Sequence, residues 1–206
     1  MSNATTLRIS ARQLADAAYR ALRVVGIPSG AAADAARDAV ELERRRGRGL
    51  EVLDRILNAG PPPPSTTCEA HGTSVSVDAR GGSALLLAVP LVALACDLTP
   101  SPLRIHRLAH CAALEPALLR RARAEHRRFE LTQGDGTTVL GVDPAESAID
   151  AGWCAAWELP LDVRLTVGEA GTSHSAAPVG SSADRPLMVA AQCWERLSER
   201  AAAYLV

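Results

Sequence analysis

Residues 10–60 read SARQLADAAYRALRVVGIPSGAAADAARDAVELERRRGRGLEVLDRILNAG, and their punctuation divides them into three helices. Ser10 and Gln13 stand at capping-box spacing, the hydroxyl taking an orphan amide while the Gln side chain reaches back. Leu14, Ala17, Ala18, Ala21, Leu22 and Val25 follow at helical spacing, and Gly26 supplies a left-handed stop. A second run opens at Ser29, carries Ala32, Ala36, Ala39 and Val40 on one face, and ends near Gly47. Leu50, Leu53, Ile56 and Leu57 form the third, closed by Gly60 and the prolines Pro61 to Pro64.

Beyond the prolines the pattern becomes mixed. Ser74–Asp78, Leu103–Leu108 and Leu161–Val167 alternate at period two and read as strands. Residues 127–132 and 137–142 flank Gln133-Gly134-Asp135-Gly136, a hairpin signal because the glycines accept positive φ. Ala84–Cys96 is apolar all round, which marks a central core helix, and Pro90 within it predicts a kink or two short helices. Glu115–His126 is an Arg-rich helix with Pro116 in its first turn. Residues 169–184 read as loop, and Pro186 is expected near the first turn of a final helix. The expected fold is therefore α+β. A three-helix block over residues 1–60 precedes a small mixed or antiparallel sheet with packed helices over residues 61–206, the two making one compact unit.

Composition narrows the chemistry. All 22 basic residues are arginine, against 23 acidic ones, for a net charge of −1. Arginine does not lose its proton, so Schiff-base chemistry and a P-loop lysine are excluded. The balanced charge gives no electrostatic case for nucleic acid or an anionic membrane. The apolar run from Ala84 to Cys96 falls short of the roughly 20 residues a bilayer span requires. Five cysteines at unpaired spacings, with no secretory signal ahead of them, predict reduced thiols and a cytoplasmic location.

Two resemblances follow from particular motifs. The run from Ile9 to Gly60 resembles the N-terminal helices of the malate/L-lactate dehydrogenase family that is unrelated to the Rossmann dehydrogenases. That family reads Arg-Gly and then Ser-His-Gly where this chain reads Arg46-Gly47-Arg48-Gly49-Leu50. The Ser-His pair is missing, so no catalytic residue and no nicotinamide cofactor is carried over. The Gly49-Leu50-x-x-Leu53 turn, the Leu85–Val92 helix and the closing Gln192–Leu197 helix resemble an uncharacterised bacterial family of about 200 residues. That resemblance implies a single α+β domain and no activity.

Candidate chemistry gathers at few places. His106 and His110 lie four apart with Cys111 next in sequence, but strand alternation through Leu108 separates the two rings and argues against a metal. Cys111 is a thiol-nucleophile candidate, with its base supplied from elsewhere in the fold. His174 sits in the polar loop Gly171–Ser175. Arg104 and Arg107 are placed to hold a carboxylate through their planar forks. Two functions stay open. One is an accessory or interaction protein of a metabolic pathway, forming a homo-oligomer or docking on an enzyme through its Ala-rich N-terminal helices. The other is a small cofactor-independent enzyme, using His106, His110, Cys111 or His174 for acid–base or thiol chemistry on an anionic metabolite.

Overall fold

The computed structural model of the chain describes residues 5–60, 66–71, 74–145, 147–149, 159–170 and 185–205. In chain order these form β1 (Thr6–Ile9), α1 (Ala11–Val24), α2 (Ser29–Arg46), α3 (Gly49–Ala59), β2 (Thr67–His71) and β3 (Ser74–Asp78). Then come α4 (Ala84–Asp97), β4 (Leu103–Leu108), a 3-10 turn (Cys111–Leu114), α5 (Glu115–Glu125), β5 (Arg127–Gln133) and β6 (Thr138–Val142). The described chain ends with β7 (Ser147–Ile149), β8 (Leu161–Glu169), β9 (Leu187–Ala190), α6 (Ala191–Ala202) and a second 3-10 turn (Ala203–Leu205). The α+β class is as the hydrophobic periods predict. The chain divides into two compact units, Met1–Pro62 with Gly180–Val206, and Pro63–Val179.

In the first unit the three N-terminal helices start and stop where their caps dictate. Gln13 N–H donates to Ser10 Oγ at 3.1 Å and Ser10 N–H to Gln13 Oε1 at 2.8 Å, closing the capping box. Gly47 ends α2 at φ +64°, the left-handed conformation that costs glycine nothing. The turn into α3 is tight. A Cβ on Gly49 would lie 1.9 Å from the Ala39 carbonyl oxygen, so only glycine lets α3 start against α2. Glu43, itself buried, accepts Leu50 N–H at 2.9 Å and so caps α3 from the preceding helix. Desolvation raises its carboxyl above the ordinary glutamate value, against the pull of the Leu50 and Gly49 amides.

The alanine faces are covered from within the chain. Ala18, Ala21, Ala32, Ala35 and Ala39 have no exposed surface, and α1 packs on α2 and on α6. Small side chains let these helices approach closely. One expectation fails here. Pro186 opens no helix, because Leu187–Ala190 runs extended as β9, pairs antiparallel with β1, and only then passes into α6. The alternation of buried Leu187 and Val189 with exposed Met188 is a strand signal that the neighbouring alanines obscured.

The second unit holds a seven-stranded sheet among the described residues, ordered β2-β3-β4-β8-β5-β6-β7. β3 and β4 are parallel and joined through α4, while every other neighbouring pair is antiparallel. The sheet is mixed, and larger than the small one expected. β2 and β7 escaped the sequence reading because they are short edge strands. α4 and α5 pack on the face carrying Val77, Leu103, Ile105, Phe129, Leu131, Val163 and Leu165, all buried. α4 is one continuous helix and not two, with Pro90 on its exposed side. Val89 and Ala93 share that exposure, so this helix is not buried on every side as its composition predicts.

Candidate functional site

The sequence-predicted residues fall mostly where β3 and β4 end side by side. The segment after β3 is zipped to the end of β4 by Ala79 N–H to His106 O (2.9 Å), Gly81 N–H to Arg107 O (2.8 Å) and Ala109 N–H to Gly82 O (3.0 Å). The pairing of β4 with β8 is irregular between Ile105 and Leu108. Arg107 stands there at φ +53°, with Arg80 at +50° and His110 at +53° nearby along the same two segments. Left-handed backbone at non-glycine residues costs on the order of 1 kcal/mol each. The bulge has a direct effect: His106 and Arg107 both face outward, where a regular strand would turn one of them in.

Two carboxylates organise this corner. Asp78 receives Arg107 Nε at 3.0 Å on Oδ1, Arg107 Nη2 on Oδ2, and Arg80 N–H at 2.9 Å. The Arg107 guanidinium holds it below the usual aspartate range. Asp162 on β8 accepts Arg107 N–H at 2.9 Å through Oδ1, and its Oδ2 lies 3.3 Å from His106 Nδ1. The Arg107 amide, followed by His106, lowers its carboxyl. His106 and Asp162 are 47% and 63% exposed, so the imidazole is oriented at Nδ1 on an accessible surface. Arg104, two residues earlier, shares the exposed face with His106, as strand period requires.

The other candidates are differently placed. The Arg107 guanidinium is bonded to Asp78. His110 is buried, its Nδ1 2.9 Å from Ser83 Oγ. Cys111 has no exposed surface, its Sγ donates to Leu108 O at 3.0 Å, and burial pushes its thiol up to about 12. Burial and the bond to Leu108 hold that proton more tightly than in a free thiol. His174 lies outside the described residues, as does Cys154. Asp78, Ser83, Asp162 and Arg164 were not singled out from the sequence. Alternation in β8 carried a signal for Asp162 and Arg164, but only the pairing register shows what they face.

No three His, Cys, Asp or Glu side chains among the described residues are grouped to hold a metal. The start of α4, following Gly81-Gly82 at the end of a parallel strand, is the natural place to test for a nucleotide phosphate. It does not fit one. Ala84 N–H is bonded to Ala109 O, Leu85 N–H to Ser83 Oγ, and Leu86 and Leu87 N–H to Ser83 O, leaving no first-turn amide for an anion.

No family model matches the chain and no curated protein sequence does, so neither supports the resemblance to an uncharacterised bacterial family. Solved structures do match. A dehydrogenase from Sinorhizobium meliloti aligns over 96% of this chain and 100% of its own, with TM-score 0.62 and 12% identity. Malate dehydrogenase from Pyrococcus horikoshii aligns over 90% of this chain and 51% of its own, with TM-score 0.51 and 16% identity. Sulfolactate dehydrogenase from Methanocaldococcus jannaschii aligns over 62% and 41%, with TM-score 0.50 and 13% identity. The likeness is one of fold. The chain spans about half the length of the malate and sulfolactate enzymes. The fold likeness covers the N-terminal helices and most of the rest of the chain. No helix among the described residues is long and apolar enough to cross a membrane.

Proposed function

We propose that the chain is a small enzyme that acts by acid–base chemistry on a small anionic metabolite, with His106 as the proton-moving residue. The observation that carries this reading is the His106–Asp162 pair beside Arg104 on one accessible strand face. With Asp162 on Nδ1, the Nε2 nitrogen is left to accept a proton from a bound substrate and return it. Arg104 supplies the charge that holds a carboxylate. Malate and sulfolactate, which name two of the fold neighbours, are small anions of the kind this face would take.

The accessory reading loses its main motive, because the N-terminal alanine faces are buried by the chain's own helices. Proton abstraction from carbon exchanges that hydrogen with solvent, so incubating a panel of small 2-hydroxy and 2-oxo acids in D2O provides the test. Wild-type protein is expected to wash deuterium into one of them, and His106→Gln to abolish the exchange. Exchange that persists in His106→Gln, or none across the panel, would remove the reading.

A further inference from the structure

The sheet register sets two arginines directly opposite each other in one row. Ser76 on β3 pairs with Arg104 on β4, Arg104 with Arg164 on β8, and Arg164 with Thr132 on β5. Residues directly opposite across strands share a face, so the row reads hydroxyl, guanidinium, guanidinium, hydroxyl. Every one of these four is a hydrogen-bond donor, and the row continues beyond Ser76 to the acid Glu69 on β2. Arg104 and Arg164 are both exposed. Like charges directly opposite each other disfavour the pairing.

Of the nearby carboxylates, Asp78 is ion-paired with Arg107, Asp162 accepts the Arg107 amide beside His106, and Glu130 accepts the Thr138 hydroxyl, a neutral donor that leaves the carboxylate its charge. Neither Arg104 nor Arg164 has an ion-pair or hydrogen-bond partner among the described residues. We infer that the row Ser76–Arg104–Arg164–Thr132 is a binding site for a small dianion whose oxygens bridge the two guanidinium forks. Planar forks accept carboxylate and phosphate oxygens alike, so the shared chemistry is a dicarboxylate or a phosphate group. The inference rests on the reading above for the reacting end of the ligand, since His106 lies two residues along β4 from Arg104.

Thermal-shift and calorimetric titrations with malonate, succinate and inorganic phosphate, against acetate and chloride at matched ionic strength, test the site. Dianions are expected to raise the melting temperature at concentrations where acetate does not. Arg164→Gln and, as a second variant, Arg104→Gln are each expected to weaken dianion binding at least tenfold. Relief of the like-charge pair predicts that ligand-free Arg164→Gln melts no lower than wild type, which a structural role for Arg164 would contradict. A larger response to malonate and succinate identifies a dicarboxylate ligand, and a larger one to phosphate a phosphate group. Equal shifts from acetate and dianions, or an undiminished dianion response in both variants, would overturn the site. Dianion binding that needs Arg164 in a protein without deuterium exchange leaves the site standing and sinks the enzyme reading. Exchange by wild type that is unchanged in Arg164→Gln does the reverse.

Discussion

Single residues set the tolerances of this fold, and Gly49 sets the narrowest. Its missing Cβ is what allows α3 to begin against the Ala39 carbonyl, and backbone cannot swing aside as a side chain does. Gly49→Ala should therefore cost about 3 kcal/mol or somewhat more, at the upper end of overpacking penalties. A fall of that size in a urea unfolding curve is the expected result; a change under about 0.5 kcal/mol would show that the helices slide apart freely. Cys111 makes the opposite kind of prediction. Its buried, protonated thiol should resist iodoacetamide at pH 7.5 in the folded protein while exposed Cys68 reacts. Mass mapping of the alkylated peptides distinguishes them, and rapid labelling of Cys111 would contradict this.

At the scale of elements, α6 is fastened to α3 by two arginines. Arg196 donates to Asp54 through Nε (2.9 Å) and Nη2 (2.7 Å), and Arg200 donates to Asn58 Oδ1 (2.7 Å) and to Leu57 O. The Arg196 contact holds the Asp54 carboxyl below its ordinary value of 3.8. A depressed folded pKa contributes stability above the unfolded value and loses it as pH falls through the folded one. Asp54→Asn should accordingly be less stable than wild type at neutral pH, with the gap closing below about pH 4. Arg196 is 44% exposed, so solvent screening keeps the effect to roughly 1 kcal/mol or less. Denaturation midpoints measured at pH 7 and pH 3 would reveal it, and a gap that widens on acidification would contradict it.

On the scale of the molecule, the first unit is built from both ends of the chain. β1 pairs with β9, and α6 packs on α1 and α3. Truncation before Leu187 removes the partner of β1 and the cover over α1 together. The truncated chain should lose protection from hydrogen exchange across α1, while the strands β3, β4, β5 and β8 stay protected, since the sheet lies in the other unit. Retained protection in α1 would show that the N-terminal helices stand without the closing helix. Within the second unit, α4 and α5 pack on the apolar face of the sheet and leave Arg104, His106 and Arg164 outward.

Local signals alone determined the N-terminal helices, because the Ser10–Gln13 box, Gly47 and Gly60 act within one or two turns of the backbone they cap. They also determined β3, β4, β5, β6 and β8, where the apolar period is long enough to read. Tertiary structure decided the rest. The bulge that turns both His106 and Arg107 outward, the strand at Leu187–Ala190 and the burial of Cys111 depend on partners far away in sequence. So does the Arg104–Arg164 pair, whose members stand sixty residues apart along the chain yet face each other through the register of β4 and β8. Side-chain spacing reports which face a residue takes; only strand pairing reports what stands beside it.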